Sequence, residues 1–425
     1  MPRDLVVEIR QNPSADYTLL PRQGGPADRP GARGAEPLDL KVSLRRHGTA
    51  ELVHMAVDRA GVREPLTRGH RAYLDVSASR LLQLAGRVRW AWKEQLVTYP
   101  VLEDDGMRAR YPFASDVDLT AWTALARSRT AELLEEGRFA FDEMLAGPGR
   151  DLAELRAFLT RTLTEEGPLR VSFDSDLHLP WPMLAVTVGQ GEPWQDFLGY
   201  RHQIEQTGAA YPRAQAPYPP RNRAVTSLNT DSALESVGRA PEVRKLLEER
   251  TELTVRTESA RFLEALAGAV LDEDLMYFWC HGQFVSNGSL YTQLSVRLSD
   301  PRDIDADLVR RHRRSHQDVP DALFRPFVLL NACHAGQSAE AELEHLGRAL
   351  VELGASGVLG PQIEIPQVFG AEYAFAFLDR YLTGRFTAGE ITWRLARDFA
   401  DVYRNPLALT YSLHCGIDSM LELTP

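Results

Sequence analysis

Apolar and polar positions alternate with a period of two near the start of the chain. Leu5-Val6-Val7-Glu8-Ile9 and Leu38-Asp39-Leu40-Lys41-Val42-Ser43-Leu44 both follow this pattern, which reads as half-buried strands. The intervening GGPADRPGARGAEP, residues 24–37, is too rich in breakers to be a regular element. After residue 115 the period lengthens. Leu119, Trp122, Leu125, Ala126, Leu133, Leu134 and Phe139 recur at helical spacing, with Asp116 or Asp118 as the candidate cap. A second helix is predicted over 152–163, beyond the Gly147-Pro148-Gly149 break.

From residue 166 strands and helices alternate. Strands are predicted at 168–173, 253–255, 275–280, 290–298, 327–330 and 357–359. Helices are predicted at 240–249, 259–271, 338–353, 367–383 and 388–403. A short buried segment falls at 179–184, and a Pro-rich polar loop spans about 207–225. Strands separated by helices of this length imply parallel βαβ units. The expected layout is a β-rich domain over 1–115, a helical connector over 116–165, and an α/β domain over 166–425 with helices on both faces of a mostly parallel sheet.

Composition narrows the function classes. Lys+Arg 48 against Asp+Glu 59 gives a net charge of −11, which argues against a general binder of nucleic acid or anionic membrane. No window approaches ~18 consecutive apolar residues, and MPRDLVVEIRQNP has no apolar core of a secretory signal. Three cysteines in 425 residues form no disulfide framework and fit a reducing cytoplasm. Arg310-Arg311-His312-Arg313-Arg314 reads as a solvated loop face.

Two predicted strands end in chemically competent residues: LMYFWC runs into His281-Gly282, and FVLLNA runs into Cys333. Functional groups of parallel α/β sheets gather at the carboxyl ends of strands. The separation, 333 − 281 = 52 residues, leaves room for a crossover between neighbouring parallel strands. A thiol becomes a useful nucleophile when an imidazole takes its proton, and the same imidazole can protonate a leaving amine. The backbone N–H groups of Gly282 and Cys333 are candidates for an oxyanion hole. The metal reading rests on three adjacent pairs, Cys280-His281, Cys333-His334 and His414-Cys415. Adjacent ligands rarely reach one ion, so neither a metal nor another cofactor is expected.

The order strand–HG, then strand–NAC–x–x–G, resembles the caspase-like cysteine peptidase superfamily. More narrowly, it is similar to CHAT domains. LRVSFDSDLHLPWPMLAV, YFWCHGQF, VLLNACHAGQS, LGASGVLGPQIEIPQVFGAEYAFAF and NPLALTYSLHCG carry that likeness, which covers about residues 166–425. The resemblance implies a caspase-like three-layer sandwich and a cysteine endopeptidase with His281 and Cys333 as its dyad. The partner expected is a specific protein substrate, in a setting of bacterial defence or regulated cell death. Asn331 stands where caspases carry Gln, which puts aspartate-directed cleavage in question. Glu364, in QIEIP, is either a specificity carboxylate favouring Arg or Lys in the substrate or a cap for the helix at 367. His334 either adds positive charge beside the thiolate or turns to solvent. Residues 1–115 are the expected sensor or recruiting module, binding an activating protein or ligand. The competing reading is a catalytically silent interaction module with the same fold; the presence of both dyad residues weighs against it.

Overall fold

The computed structural model describes residues 36–47, 51–60, 70–102, 108–189, 191–208, 221–285, 293–316, 323–332 and 344–424. Leu38–Pro425 form one compact unit. Thirteen strands among the described residues join a single sheet. In chain order they are β1 Leu40–Arg46, β2 Val53–Arg59, β3 His70–Tyr73, β4 Arg170–Ser175, β5 Gln203–Thr207, β6 Ala224–Thr230, β7 Thr251–Arg256, β8 Leu275–Val285, β9 Gln293–Arg297, β10 Asp303–Ile304, β11 Phe327–Ala332, β12 Gly357–Pro361 and β13 Tyr411–His414. Their order across the sheet is β10-β9-β8-β11-β12-β13-β5-β4-β1-β2-β3, and β6 pairs with both β8 and β7. The block β7-β6-β8-β11-β12 is parallel throughout.

Sequence explains why this block is the centre. Leu275, Tyr277 and Trp279 face one hydrophobic core, while Met276, Phe278 and Cys280 face another. Phe327 and Leu329 divide from Val328 and Leu330 in the same way. Successive strand side chains point to opposite faces, so a continuous apolar run needs cover on both sides. Helices supply it. On one side lie α1 Ala78–Trp92, α2 Thr123–Met144, α3 Arg150–Leu163, α4 Ala240–Arg250, α8 Gln367–Tyr381 and α9 Ala388–Asp401. On the other lie α5 Ser259–Leu266, α6 Ala306–Arg313 and α7 Glu344–Glu352. The fold is the expected α/β three-layer sandwich.

The structure adds to the expectations and departs from them: a helix, Ala78–Trp92, lies within the expected β-rich part, and the helix expected over 259–271 ends at Leu266. The strands of residues 40–73 continue the sheet of the later part of the chain: β1 pairs parallel with β4 from Leu40↔Val171 to Leu44↔Ser175. Periodicity predicts a strand but not the sheet it joins. β6 lies almost wholly in a stretch, 226–239, to which the sequence assigns no element, because its inward side chains, Thr226, Ser227, Asn229 and Thr230, are polar although buried. They are satisfied locally, for example by Ser227 Oγ donating to Glu273 at 2.5 Å. The Arg310–Arg314 run is no solvated loop. Its first four residues form the last turn of α6, and buried Arg313 donates to the carbonyls of Gly268, Ala269 and Leu323. The strand predicted at Leu5–Ile9 lies outside the described residues.

Candidate functional site

His281 sits where β8 changes partners. Up to Cys280 the strand runs parallel to β11; from His281 it runs antiparallel to β9, beginning with His281↔Arg297. Alternation puts His281 on the face of Trp279, whose indole N–H donates to the carbonyl of Leu234 at 2.9 Å. The chain from β6 passes over this face. Its first residue beyond β6, Asp231, brings Oδ2 within 3.4 Å of His281 Nε2. This is an ion-pair separation rather than a short hydrogen bond. The side chains are 28% and 14% exposed respectively, so the pair is partly shielded from water. Asp231 is fixed from two directions. Its Oδ1 accepts the Ala233 N–H at 3.0 Å, and its own N–H donates to Trp279 O at 3.1 Å.

Asp231 has little prominence in the sequence. The available signal was Thr230-Asp231-Ser232, an aspartate that caps a short turn through the second N–H onward. The signal is weak because the strand before it is polar and carries no apolar pattern.

On the other side of β8, β11 runs in register with it: Trp279 faces Asn331 and Cys280 faces Ala332. Asn331 is fully buried. Its Nδ2 donates to Gly370 O at 2.7 Å, and its Oδ1 accepts the Tyr411 hydroxyl at 2.7 Å. Those bonds pin the end of β11 to α8 and β13. Gly370 eases the close approach, since a Cβ there would lie 3.1 Å from Ile365 and 3.3 Å from both polar atoms of Asn331. Cys333 and His334 lie outside the described residues. Gly282 is buried and faces Val296 across the β8–β9 pair.

Glu364 lies on the segment between β12 and α8. Its carboxylate pairs with Lys93 Nζ at 3.1 Å. Helix α8 begins at Gln367 with no side-chain cap, so Glu364 does not serve as one. The other two cysteines have no catalytic character. Cys280 is buried in the core, and burial pushes the Cys415 thiol far above its ordinary range, with Glu205 and Asp174 adding to the effect. Cys280 and His281 point to opposite faces of one strand, which keeps them from chelating a common ion.

The CHAT domain family model matches residues 142–389, more than half of the chain. A probable protease from Vitiosangium sp. is 28% identical over 139 residues, covering 32% of this chain but only 17% of its own length. Two crystal structures of the Saccharomyces cerevisiae separase–securin complex align with TM-scores of 0.42 and 0.45, at 11% and 10% identity. They cover 89% and 88% of this chain and 30% of theirs. The Arg-specific cysteine proteinase gingipain R aligns with a TM-score of 0.37 at 10% identity, over 66% of this chain and 71% of its own. Scores this low leave the description of the fold to the strand order itself.

Proposed function

The chain belongs to the CHAT domain family, and from that premise we propose that it is a cysteine endopeptidase acting through His281 and Cys333. The observation that carries the reading is the register of β8 on β11. Cys280 and Ala332 are direct neighbours across the parallel pair, and the next residues in sequence are His281 and Cys333. That adjacency of the two preceding residues supports reading His281 and Cys333 as one dyad.

Asp231 supports the assignment of roles. Because His281 Nε2 faces its carboxylate, Nδ1 is the nitrogen that takes the proton from the Cys333 thiol. The thiolate attacks the scissile carbonyl, and the N–H groups of Gly282 and Cys333 receive the oxyanion. Collapse of the tetrahedral adduct returns the proton from Nδ1 to the leaving amine and leaves an acyl-enzyme. Water then hydrolyses the thioester, again with His281 as base, and regenerates the thiol. The Asp231 charge stabilises the imidazolium at each stage.

The substrate in this reading is one partner protein, in a cytoplasmic setting of bacterial defence or regulated cell death that rests on the family alone. The test is mass spectrometry of self-cleavage and of candidate substrate proteins with the wild type, Cys333→Ala and His281→Ala. Each variant is expected to lose at least about 10³-fold in rate. Identical products from wild type and Cys333→Ala would reject the peptidase and leave the silent interaction module in its place.

A further inference from the structure

We propose that Lys93 is a resident cation of the specificity subsite, neutralising Glu364 until a basic side chain of the substrate displaces it. This rests on the peptidase reading and adds to it a competitor built into the N-terminal part of the chain. Glu364 follows the end of β12, and β12 is the parallel neighbour of β11, with Leu329 facing Leu359. The carboxylate therefore leaves the sheet one strand away from the strand that leads into Cys333.

Helix α1 grips this segment at two levels. Buried Arg89 donates from Nε and Nη2 to Gln362 Oε1, at 3.1 and 2.8 Å, and from Nη2 to His178 O at 3.1 Å. One turn later, where α1 gives way to a π-turn over Lys93–Val97, Lys93 meets Glu364 at 3.1 Å. Residues four apart share a helix face, so both contacts belong to one clamp. They differ in depth. The Arg89 contact is buried, whereas Lys93 and Glu364 keep 24% and 16% of their side-chain surface exposed. The pair is partly shielded but still reaches water, so an incoming cation can compete with the ammonium for the carboxylate. A guanidinium binds a carboxylate through two parallel N–H bonds where an ammonium offers a point charge. Arginine in the substrate is the better competitor.

The experiment reads binding without catalysis. In a Cys333→Ala background, acetyl-Ala-Ala-Ala-Arg amide and its citrulline counterpart are titrated calorimetrically. Adding Lys93→Ala should tighten the arginine peptide about fivefold and leave the citrulline peptide unchanged. Lys93→Arg should weaken the arginine peptide, and Glu364→Gln should erase the difference between the two peptides. An unchanged arginine-to-citrulline ratio in Lys93→Ala, or no binding of either peptide by any variant, overturns the proposal. Tighter binding alongside a wild type that cleaves nothing would instead reject the peptidase reading and leave the displaceable cation in place.

Discussion

Asp231 makes two contacts that a single substitution separates. Asparagine can accept the Ala233 N–H as aspartate does, so the turn after β6 should survive Asp231→Asn, while the charge facing His281 Nε2 disappears. The expected result is a fall in kcat of about tenfold or more, with KM and Tm little changed and partial recovery in Asp231→Glu. A proportional loss of Tm and activity would mean that Asp231 serves the fold alone. His281 and Cys333 are legible as candidates because each follows an apolar run in sequence and carries the right chemistry. Asp231 is not, because one aspartate after a polar stretch looks like any turn residue. Asn331 reads from sequence only as a departure from caspases; its use is visible in space, where Gly370 O and the Tyr411 hydroxyl converge on it from elements about 40 and 80 residues away in sequence.

Among the elements, the junction of α3 with β4 carries a pH-dependent stability. His202 accepts the Leu169 N–H at Nδ1, 3.2 Å away, and donates from Nε2 to Leu163 O at 2.9 Å. Burial lowers its pKa to about 4, below the unfolded value of about 6.5. Between these values the unfolded chain binds the extra proton, so stability rises with pH. The contribution is intact above pH about 6.5 and is lost as pH falls toward 4, on the order of 3 kcal/mol in all. Urea unfolding across that range should show the slope in the wild type and lose that part of it in His202→Gln. An identical slope in both would assign the pH dependence elsewhere. The helices and strands with apolar periodicity were legible, α2, α3, α8 and α9 among them. Their edges were set by local chemistry: Asp118 accepts the Thr120 N–H and so shapes the 3-10 turn at Thr120–Trp122 rather than capping α2. β6 was illegible because hydrogen bonds, not hydrophobicity, make its side chains suitable for burial.

Over the whole molecule, the N-terminal strands extend the sheet that carries the site. Leu40, Val42, Leu44, Val53, Met55 and Val57 are buried in the larger core. Six such side chains represent roughly 10 kcal/mol of burial, comparable to the whole stability of a typical domain. A chain beginning at residue 116 should therefore lose its cooperative melting transition and expose the edge of β4 that β1 covers. A sharp transition near the wild-type Tm in circular dichroism would show that residues 38–115 are dispensable. The same continuity places Arg89 and Lys93, both on or just beyond α1, against the segment after β12. Sequence alone determined the alternation of strands and helices, the apolar runs of β8 and β11, and the two reactive residue types that follow them, because local patterning sets whether a segment suits a buried strand or a helix face. Only the tertiary structure decided which strands are neighbours, that β1 joins β4, that Asp231 faces His281, and that Lys93 meets Glu364. Those are choices of partner between segments far apart in sequence, made by the packing and hydrogen bonding of the assembled sheet.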